Sequence, residues 1–396
     1  MFSVFPVTYI LIESVCAMSS PECLVVGHRG FKGKHTENTI HGFERCFETG
    51  ATIFETDVWT TRDEVLVISH DVNTKRVFCD EDGNETDFNI LETDFEQLRP
   101  LRTIGSGEPL LTFQDVLRWF VAYVKETTSR AEFKILLDLK NANPPKLLRL
   151  LFEDMLAVHD DLAWWFPRIQ IGVWNLRFVK YLNQDPYFQT LFLGLQPYNG
   201  YSCFDIYHIL LSWQDSMVYL GYNDYLATLP KNRYKFRAAG ISLIHVSTWS
   251  ADFLEKFMPA AKRQDLKLYT WTVNRVSQLK YFCAIAKTWK IQEYGIITDY
   301  PDTMVDAISE GFWNNDTALE LELEPVLEKT APEKIVIPRS FMLFAWVVKM
   351  SMYFATPAQF SGNAEFESRV LPSEKLSVKP KLGNKIFALL QAWGLF

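Results

Sequence analysis

Several short apolar runs in this chain lead directly to polar side chains that could do chemistry. His28 and Arg29 follow the run from Leu24 to Val26 and Gly27. Because both groups are costly to bury without a partner, we expect them to face a polar ligand. Other candidate site residues lie in or just after similar runs, namely Glu55, Asp57, His70, Asp138, Lys140 and Trp271.

The spacing of the carboxylates indicates a metal site. Glu55 and Asp57 are two residues apart, so on a strand they share one face, and Asp138 and Lys140 have the same spacing. Three carboxylates that converge repel one another unless a cation neutralises them. Oxygen ligands favour Mg²⁺ or Ca²⁺ over Zn²⁺, so we expect one of these two divalent cations.

The basic residues complete a set suited to cleaving a phosphodiester. Arg29 and Lys140 could hold a phosphate beside the metal. His28 and His70 could serve as general acid and general base, although the sequence does not decide which has which role. We also expect Lys140 and Trp271 to bind substrate, and Asp71 to be a structural or supporting residue. Asp299 is expected to order the loop before Pro301.

The elements that must position these residues alternate between β-rich runs and helical patterns. This alternation predicts a parallel sheet with helices outside, and its extent predicts an α/β fold, a (β/α)₈ TIM barrel over residues 23–310. Active sites of such barrels lie at the C-terminal ends of the strands. The predicted strands are 23–27, 52–58, 64–69, 133–140, 168–174, 190–196, 241–247, 266–273 and 295–299.

One connection does not suit a parallel barrel. The runs at 52–58 and 64–69 are separated by only five residues, whereas a parallel crossover needs about a dozen or more. Either these two runs form an irregular pair, or one of the nine runs is not a barrel strand.

The segments outside the barrel pattern differ in composition. Residues 1–22 form an N-terminal extension that is apolar at first but has no Lys or Arg in its first twenty positions, unlike a signal peptide. Residues 311–339 are predicted to be an acidic linker, and residues 340–396 a hydrophobic, membrane-associating tail. A helix over 341–355 would be about 22 Å long, shorter than the roughly 30 Å hydrocarbon core. We therefore expect the tail to lie in the membrane interface.

Composition excludes some functions. The net charge of −8 provides no general basic field, so we expect no nucleic-acid partner. The six cysteines include no CxxC pair and no zinc-like spacing with His. They are typical of reduced thiols, which predicts an intracellular protein.

The motifs together resemble the glycerophosphodiester phosphodiesterase family over roughly residues 24–305. The matching motifs are HRG, ENT, ETDV, HD, LDLK, YTWTVN and GIITDYP. The resemblance implies a metal-dependent barrel in which His28 and His70 are the acid and base and Arg29 binds phosphate. It assigns the metal to Glu55, Asp57 and Asp138.

The chain departs from the family pattern at three places. Thr36 replaces a usual Pro, Asp138 replaces a usual Glu, and GVWN at 172–175 replaces a Ser-Phe pair. The shorter Asp138 side chain puts the position or preference of the metal in doubt.

The same segments are similar to the phosphatidylglycerol-specific phospholipase C branch of fungi. That similarity implies cleavage of phosphatidylglycerol to diacylglycerol and glycerol 3-phosphate, with the neighbouring glycerol 2-hydroxyl attacking phosphorus. It predicts a membrane or lipid-droplet partner and a location at the lipid droplet, endoplasmic reticulum or mitochondrial surface. Two alternatives stay open: a phosphodiesterase for water-soluble deacylated phospholipids, and a catalytically silent lipid-binding barrel.

Overall fold

Eight parallel strands close into a barrel, which confirms the predicted fold class. The computed structural model describes residues 23–192, 204–230, 234–291 and 293–310. Each barrel strand pairs in parallel with its neighbours, and the first strand pairs with both the second and the last. The barrel strands are β1 (Cys23–Gly27), β2 (Ile53–Thr60), β6 (Lys134–Leu139), β7 (Ile169–Val173), β8 (Asp205–Leu210), β9 (Gly240–Ile244), β10 (Lys267–Trp271) and β11 (Tyr294–Thr298). The remaining strands of the described residues are β3 (Leu66–Ile68), β4 (Phe78–Cys79) and β5 (Arg102–Thr103).

Helices surround the barrel and pack on it through apolar side chains. Thr39 caps the first helix, as its position before an amphipathic run predicts, and Thr112 forms a capping box with Asp115 at the third. The helices of the described residues are α1 (Ile40–Glu48), α2 (Phe95–Leu98), α3 (Phe113–Lys125), α4 (Leu147–Val158), α5 (Leu162–Trp165), α6 (Leu176–Gln184), α7 (Pro186–Leu191), α8 (Trp213–Thr228), α9 (Met258–Arg263), α10 (Val276–Trp289) and α11 (Pro301–Ser309).

The short connection after β2 is an antiparallel turn. β3 pairs antiparallel with the C-terminal end of β2, with Val58 opposite Ile68. Because an antiparallel pair needs only a tight turn, five residues suffice, and the run at 64–69 is not a barrel strand. The chain then forms an insertion that reaches to α3 and has its own small core, which includes Trp59, Phe78 and Leu110.

The predicted strand at 190–196 is wrong where it can be compared with the structure. Thr190 and Leu191 end helix α7, whose start is set by the side chain of Asp185 as N-cap and by Pro186 in the first turn. Residues 193–203 lie outside the described part. The strand that the prediction missed is β8, which is buried along nearly its whole length.

A buried polar network closes the N-terminal end of the barrel. Glu293 accepts hydrogen bonds from the hydroxyls of Tyr207 and Tyr269, each at 2.7 Å, and from Gln170 Nε2 at 3.0 Å. Lys267 lies 3.3 Å from the same carboxylate. Burial raises the pKa of Glu293, but Lys267 and its other partners outweigh it and hold the pKa at about 2.

This network predicts an acid-sensitive contribution to stability. Because the folded pKa of Glu293 lies below its ordinary value of 4.5, its contribution is present above about pH 4.5 and is lost as the pH falls towards 2. Replacing Glu293 by Gln should lower the free energy of unfolding at pH 6 by about 2–3 kcal/mol and flatten its decline between pH 5 and pH 3. Urea unfolding at a series of pH values measures the free energy of unfolding and its decline with pH. Glu96→Gln, at an exposed position, is the control, and equal pH slopes in Glu293→Gln and wild type would contradict the prediction.

The predicted segments at 1–22, 311–339 and 340–396 lie outside the described residues. Among the helices that are described, none is long and apolar enough to cross a membrane.

Candidate active site

The predicted site residues converge at the C-terminal end of the barrel. A cavity of about 180 Å³ opens there. Asp57 lies just behind its wall, next to Glu55 and Asp138. The other seven predicted residues line the cavity, namely His28, Arg29, Glu55, His70, Asp138, Lys140 and Trp271. The expectation that these side chains share one barrel mouth is therefore met.

His28 is held by a carboxylate from the far end of the chain. Its Nδ1 lies 2.7 Å from Asp299 Oδ1, and Asn274 Nδ2 donates to the other Asp299 oxygen at 2.9 Å. Burial, and next the Arg29 charge, lower the pKa of His28 to about 4. Asp299, which the sequence predicts to order the loop before Pro301, therefore also contacts an imidazole through its side chain. This arrangement leaves His28 Nε2 available towards the cavity.

His70 has a matching carboxylate partner. Its Nδ1 lies 2.7 Å from Asp71 Oδ1, and Arg76 donates to the other Asp71 oxygen. Arg76 also donates two hydrogen bonds to Glu37, at 2.7 and 2.8 Å. Burial, followed by the charge of Lys140, lowers the pKa of His70 to about 4. In both imidazoles, therefore, Nδ1 contacts an aspartate and Nε2 remains to contact a ligand.

The three predicted metal ligands form one buried cluster. Carboxylate oxygens of Glu55, Asp57 and Asp138 all lie within 4.8 Å of one another. Burial, and then the charges of the other two, raise the pKa of Glu55 well above its usual value. Burial also raises the pKa of Asp138. Burial and mutual repulsion destabilise the charged carboxylates, and a bound divalent cation would offset both effects. The three residues therefore fit Mg²⁺ or Ca²⁺.

Lys140 belongs to this cluster as well as to the cavity wall. Its Nζ lies 2.6 Å from Asp57 Oδ1 and 2.8 Å from Asp138 Oδ2. Burial raises the pKa of Asp57, but Lys140 and His70 outweigh it and keep that pKa well below its usual value. Lys140 therefore favours the charged form of Asp57 and contacts both aspartates, while its position in the wall still suits contact with an anion.

Arg29 reaches the same cluster through both its backbone and its side chain. Its backbone N–H donates to Glu55 Oε2 at 2.9 Å, and its Nη1 donates to Glu37 Oε1 at 3.0 Å. Its φ of 51° is rare for a side-chain-bearing residue. Within the described residues, the buried Arg29 Nε lacks a hydrogen-bond partner. The acceptor nearest to this atom is Asp57 Oδ2, at 3.5 Å, so Arg29 also forms an ion pair with the carboxylate cluster.

The opposite side of the cavity is apolar. The rings of Trp174 and Trp271 meet edge to face with centroids 5.8 Å apart, and Ile209 and Leu211 continue this wall. Trp271 lies in the cavity wall, and its role in substrate binding stays a prediction. Trp174 also donates from Nε1 to Asp138 Oδ1 at 2.6 Å.

Sequence reasoning missed several supporting residues. Glu37 and Asn38 stand in the quoted ENT motif, and Asn38 Nδ2 donates to Asp57 Oδ2 at 2.9 Å, so the motif itself was a usable signal. The role of Asp299 could have been suspected from its position just after the last strand. Arg76, Trp174 and Asn274 carry no local pattern that predicts their contacts.

These contacts define what the arrangement can do. A phosphodiester in the cavity would meet a cationic side of Arg29, Lys140 and a carboxylate-held metal. Two imidazoles would present Nε2 atoms for proton transfer. The apolar wall would face one of the substituents of the phosphorus.

Known proteins are similar to this chain over most of its barrel. The model of the glycerophosphoryl diester phosphodiesterase family matches residues 28–303. A glycerophosphodiester phosphodiesterase from Caldanaerobacter subterraneus subsp. tengcongensis is 22% identical over 291 residues, covering 73% of this chain and 98% of that protein. A human lysophospholipase D is 41% identical over 51 residues, which cover 13% of this chain and only 16% of the relative.

Solved structures share the fold. The crystal structure of a candidate glycerophosphoryl diester phosphodiesterase from Silicibacter pomeroyi has a TM-score of 0.53 and 16% identity, covering 74% of this chain and 95% of that one. A second, from Agrobacterium tumefaciens, has a TM-score of 0.51 and 14% identity, covering 74% of this chain and 99% of that one. At such low identity the likeness concerns the barrel itself.

Proposed function

Because this chain belongs to the glycerophosphoryl diester phosphodiesterase family, whose model covers residues 28–303, we propose that it is a metal-dependent phosphoric diester hydrolase. We propose further that its substrate is phosphatidylglycerol, which it cleaves in the manner of a phospholipase C. The products are diacylglycerol and glycerol 3-phosphate.

One observation carries the lipid part of this proposal, namely the division of the cavity into two unlike sides. His28, Arg29 and Lys140 line one side, while Trp174 and Trp271 stand on the other. A phosphodiester with one polar and one apolar substituent fits such a site better than one with two polar substituents.

The size of the cavity supports action at a lipid surface. Its volume of about 180 Å³ is below the roughly 300–1,000 Å³ of pockets that enclose a drug-sized ligand. It suits a glycerol phosphate and the start of a glycerol ester, with the acyl chains remaining outside. We therefore propose an intracellular membrane or lipid-droplet surface as the place of action. The tail at 340–396 is predicted to hold the enzyme there.

The chemical step needs a nucleophile, and the head group supplies it. The 2-hydroxyl of the glycerol head group attacks phosphorus, a new O–P bond forms, and the P–O bond to diacylglycerol breaks. One neutral imidazole takes the hydroxyl proton on its Nε2. The other enters the step as an imidazolium, a form that the neighbouring phosphate anion favours, and gives its Nε2 proton to the leaving oxygen. Water then opens the cyclic glycerol phosphate with the two histidines in exchanged roles.

The other residues bind and orient the phosphate. Arg29, fixed by its bond to Glu37, donates to the non-bridging oxygens. When bound by Glu55, Asp57 and Asp138, a divalent cation such as Mg²⁺ or Ca²⁺ supplies positive charge beside those oxygens. Asp299 and Asp71 each accept a hydrogen bond from an imidazole Nδ1–H. This bond directs Nε2 towards the substrate in both the neutral imidazole and the imidazolium.

This chemistry sets a requirement on the head group. The glycerol of a diacyl lipid has no free hydroxyl of its own, so only a head group with a hydroxyl next to the ester can react. Vesicles of phosphatidylglycerol should therefore yield diacylglycerol with Mg²⁺ or Ca²⁺. Vesicles of phosphatidyl-1,3-propanediol, which lacks only the 2-hydroxyl, should yield none.

The same assay separates the alternatives. Purified full-length protein would also receive glycerophosphoglycerol and glycerophosphocholine, with diacylglycerol and glycerol phosphate both measured. If only the soluble diesters were hydrolysed, the protein would be a phosphodiesterase for water-soluble deacylated phospholipids and not a lipase. Lipid binding without turnover of any diester, at any metal concentration, would leave the silent lipid-binding barrel. Equal cleavage of the propanediol lipid would overturn the proposed nucleophile.

A further inference from the structure

Trp174 belongs to two parts of the site at once. It follows β7, and its ring forms the apolar wall with Trp271 at a centroid distance of 5.8 Å. Its indole Nε1 donates to Asp138 Oδ1 at 2.6 Å. It is therefore the wall residue that also contacts one of the three clustered carboxylates.

The bond from Trp174 completes the support of Asp138. Lys140 Nζ lies 2.8 Å from the other oxygen, Oδ2, so each carboxylate oxygen has one donor. These donors come from the residues that directly follow β6 and β7, and together they fix the rotation of a buried carboxylate.

Trp271 provides the contrast. Its indole Nε1 donates to the backbone carbonyl of Ser242 at 3.2 Å. Its ring lines the same cavity, yet its hydrogen bond contacts no carboxylate of the cluster. The two tryptophans therefore share the wall but differ in their connection to the cluster.

We propose that Trp174 is a positioning residue for the metal site, acting through its indole N–H on Asp138, and that its ring separately forms the substrate wall. This inference rests on the proposed function, in which Asp138 is a metal ligand. Outer partners that orient a ligand typically contribute about 10–100-fold to metal affinity. The N–H contribution and the ring contribution should be separable by substitution.

Trp174→Phe retains an aromatic ring and removes the N–H donor. The affinity for Mg²⁺ or Ca²⁺, measured by calorimetric titration of the full-length protein, should fall about 10–100-fold. At saturating metal, the KM for phosphatidylglycerol vesicles should change much less than the metal affinity. Trp271→Phe, the matched control, should bind the cation as wild type does, and Glu55→Gln should define the loss expected when a ligand itself is removed.

The outcomes are distinct for the two proposals. Unchanged cation affinity in Trp174→Phe, with Glu55→Gln impaired, would overturn the role of Trp174 and leave the proposed function intact. Equal losses in Trp174→Phe and Trp271→Phe would also overturn it, since the effect would then come from the aromatic wall. A wild-type protein that binds no cation would overturn both proposals. Thermal unfolding followed by circular dichroism verifies that each variant is folded before titration, and Trp174→Leu, which also lacks a donor, takes the place of Trp174→Phe if the latter does not fold.

Discussion

Replacing His28 or His70 by alanine is expected to lower kcat for phosphatidylglycerol by about 10²–10⁴-fold. Each imidazole lines the cavity and has its Nδ1 occupied by an aspartate at 2.7 Å. The remaining nitrogen, Nε2, is therefore the atom that can exchange a proton with the substrate. Loss of either ring removes one of the two proton transfers that the reaction needs.

The measurement is diacylglycerol release at saturating lipid and metal, with kcat and KM determined separately. Because the two rings act in one proton-transfer sequence, the double variant should be only slightly slower than the worse single variant. His41→Ala is a suitable control, since His41 is exposed on α1 and its ring contacts His35 outside the cavity. Near wild-type kcat in either His28→Ala or His70→Ala would remove that histidine from the mechanism.

Replacing Asp299 by asparagine should lower kcat by about 10²–10³-fold with little effect on folding. Asn274 Nδ2 donates to Asp299 Oδ2 at 2.9 Å, so the amide oxygen of an asparagine should remain on that side. Its NH₂ group would then face His28 Nδ1 and donate to it. The proton of the neutral imidazole would move to Nε2, and His28 could no longer accept a proton from the substrate side.

The pH dependence separates this effect from a structural one. The carboxylate of Asp299 raises the pKa of His28, opposing burial and the Arg29 charge, which together hold it at about 4. Loss of the Asp299 carboxylate should lower the pKa of His28 further. The pH profile of kcat/KM should therefore change in shape as well as in maximum value. Asp302→Asn is the control, because Asp302 lies in the first turn of α11 and pairs with Lys34 near the surface. If kcat/KM instead fell by the same factor at every pH and the melting temperature also fell, Asp299 would have a packing role.

Local patterns in the chain were sufficient for the fold class and for the members of the site. The alternation of strand and helix patterns predicts the barrel, and the two-residue spacing of Glu55 and Asp57 places both on one strand face. Those inferences succeed because strand and helix periods are local properties. The strand at 190–196 was wrong because a local N-cap at Asp185 and Pro186 starts a helix that ends at Leu191.

The carboxylate beside His70 is its neighbour in sequence, Asp71, but the partners of His28 and of Asp138 were decided by tertiary structure. Asp299 lies 271 positions from His28, and Trp174 lies 36 positions from Asp138. These pairs meet because β1 closes the barrel against β11 and because β6 pairs with β7 in a fixed register. The sequence by itself thus determines which residue types stand at the strand ends. Which of them touch is determined by closure of the barrel and the register of its strands, since no local periodicity records which loops become neighbours.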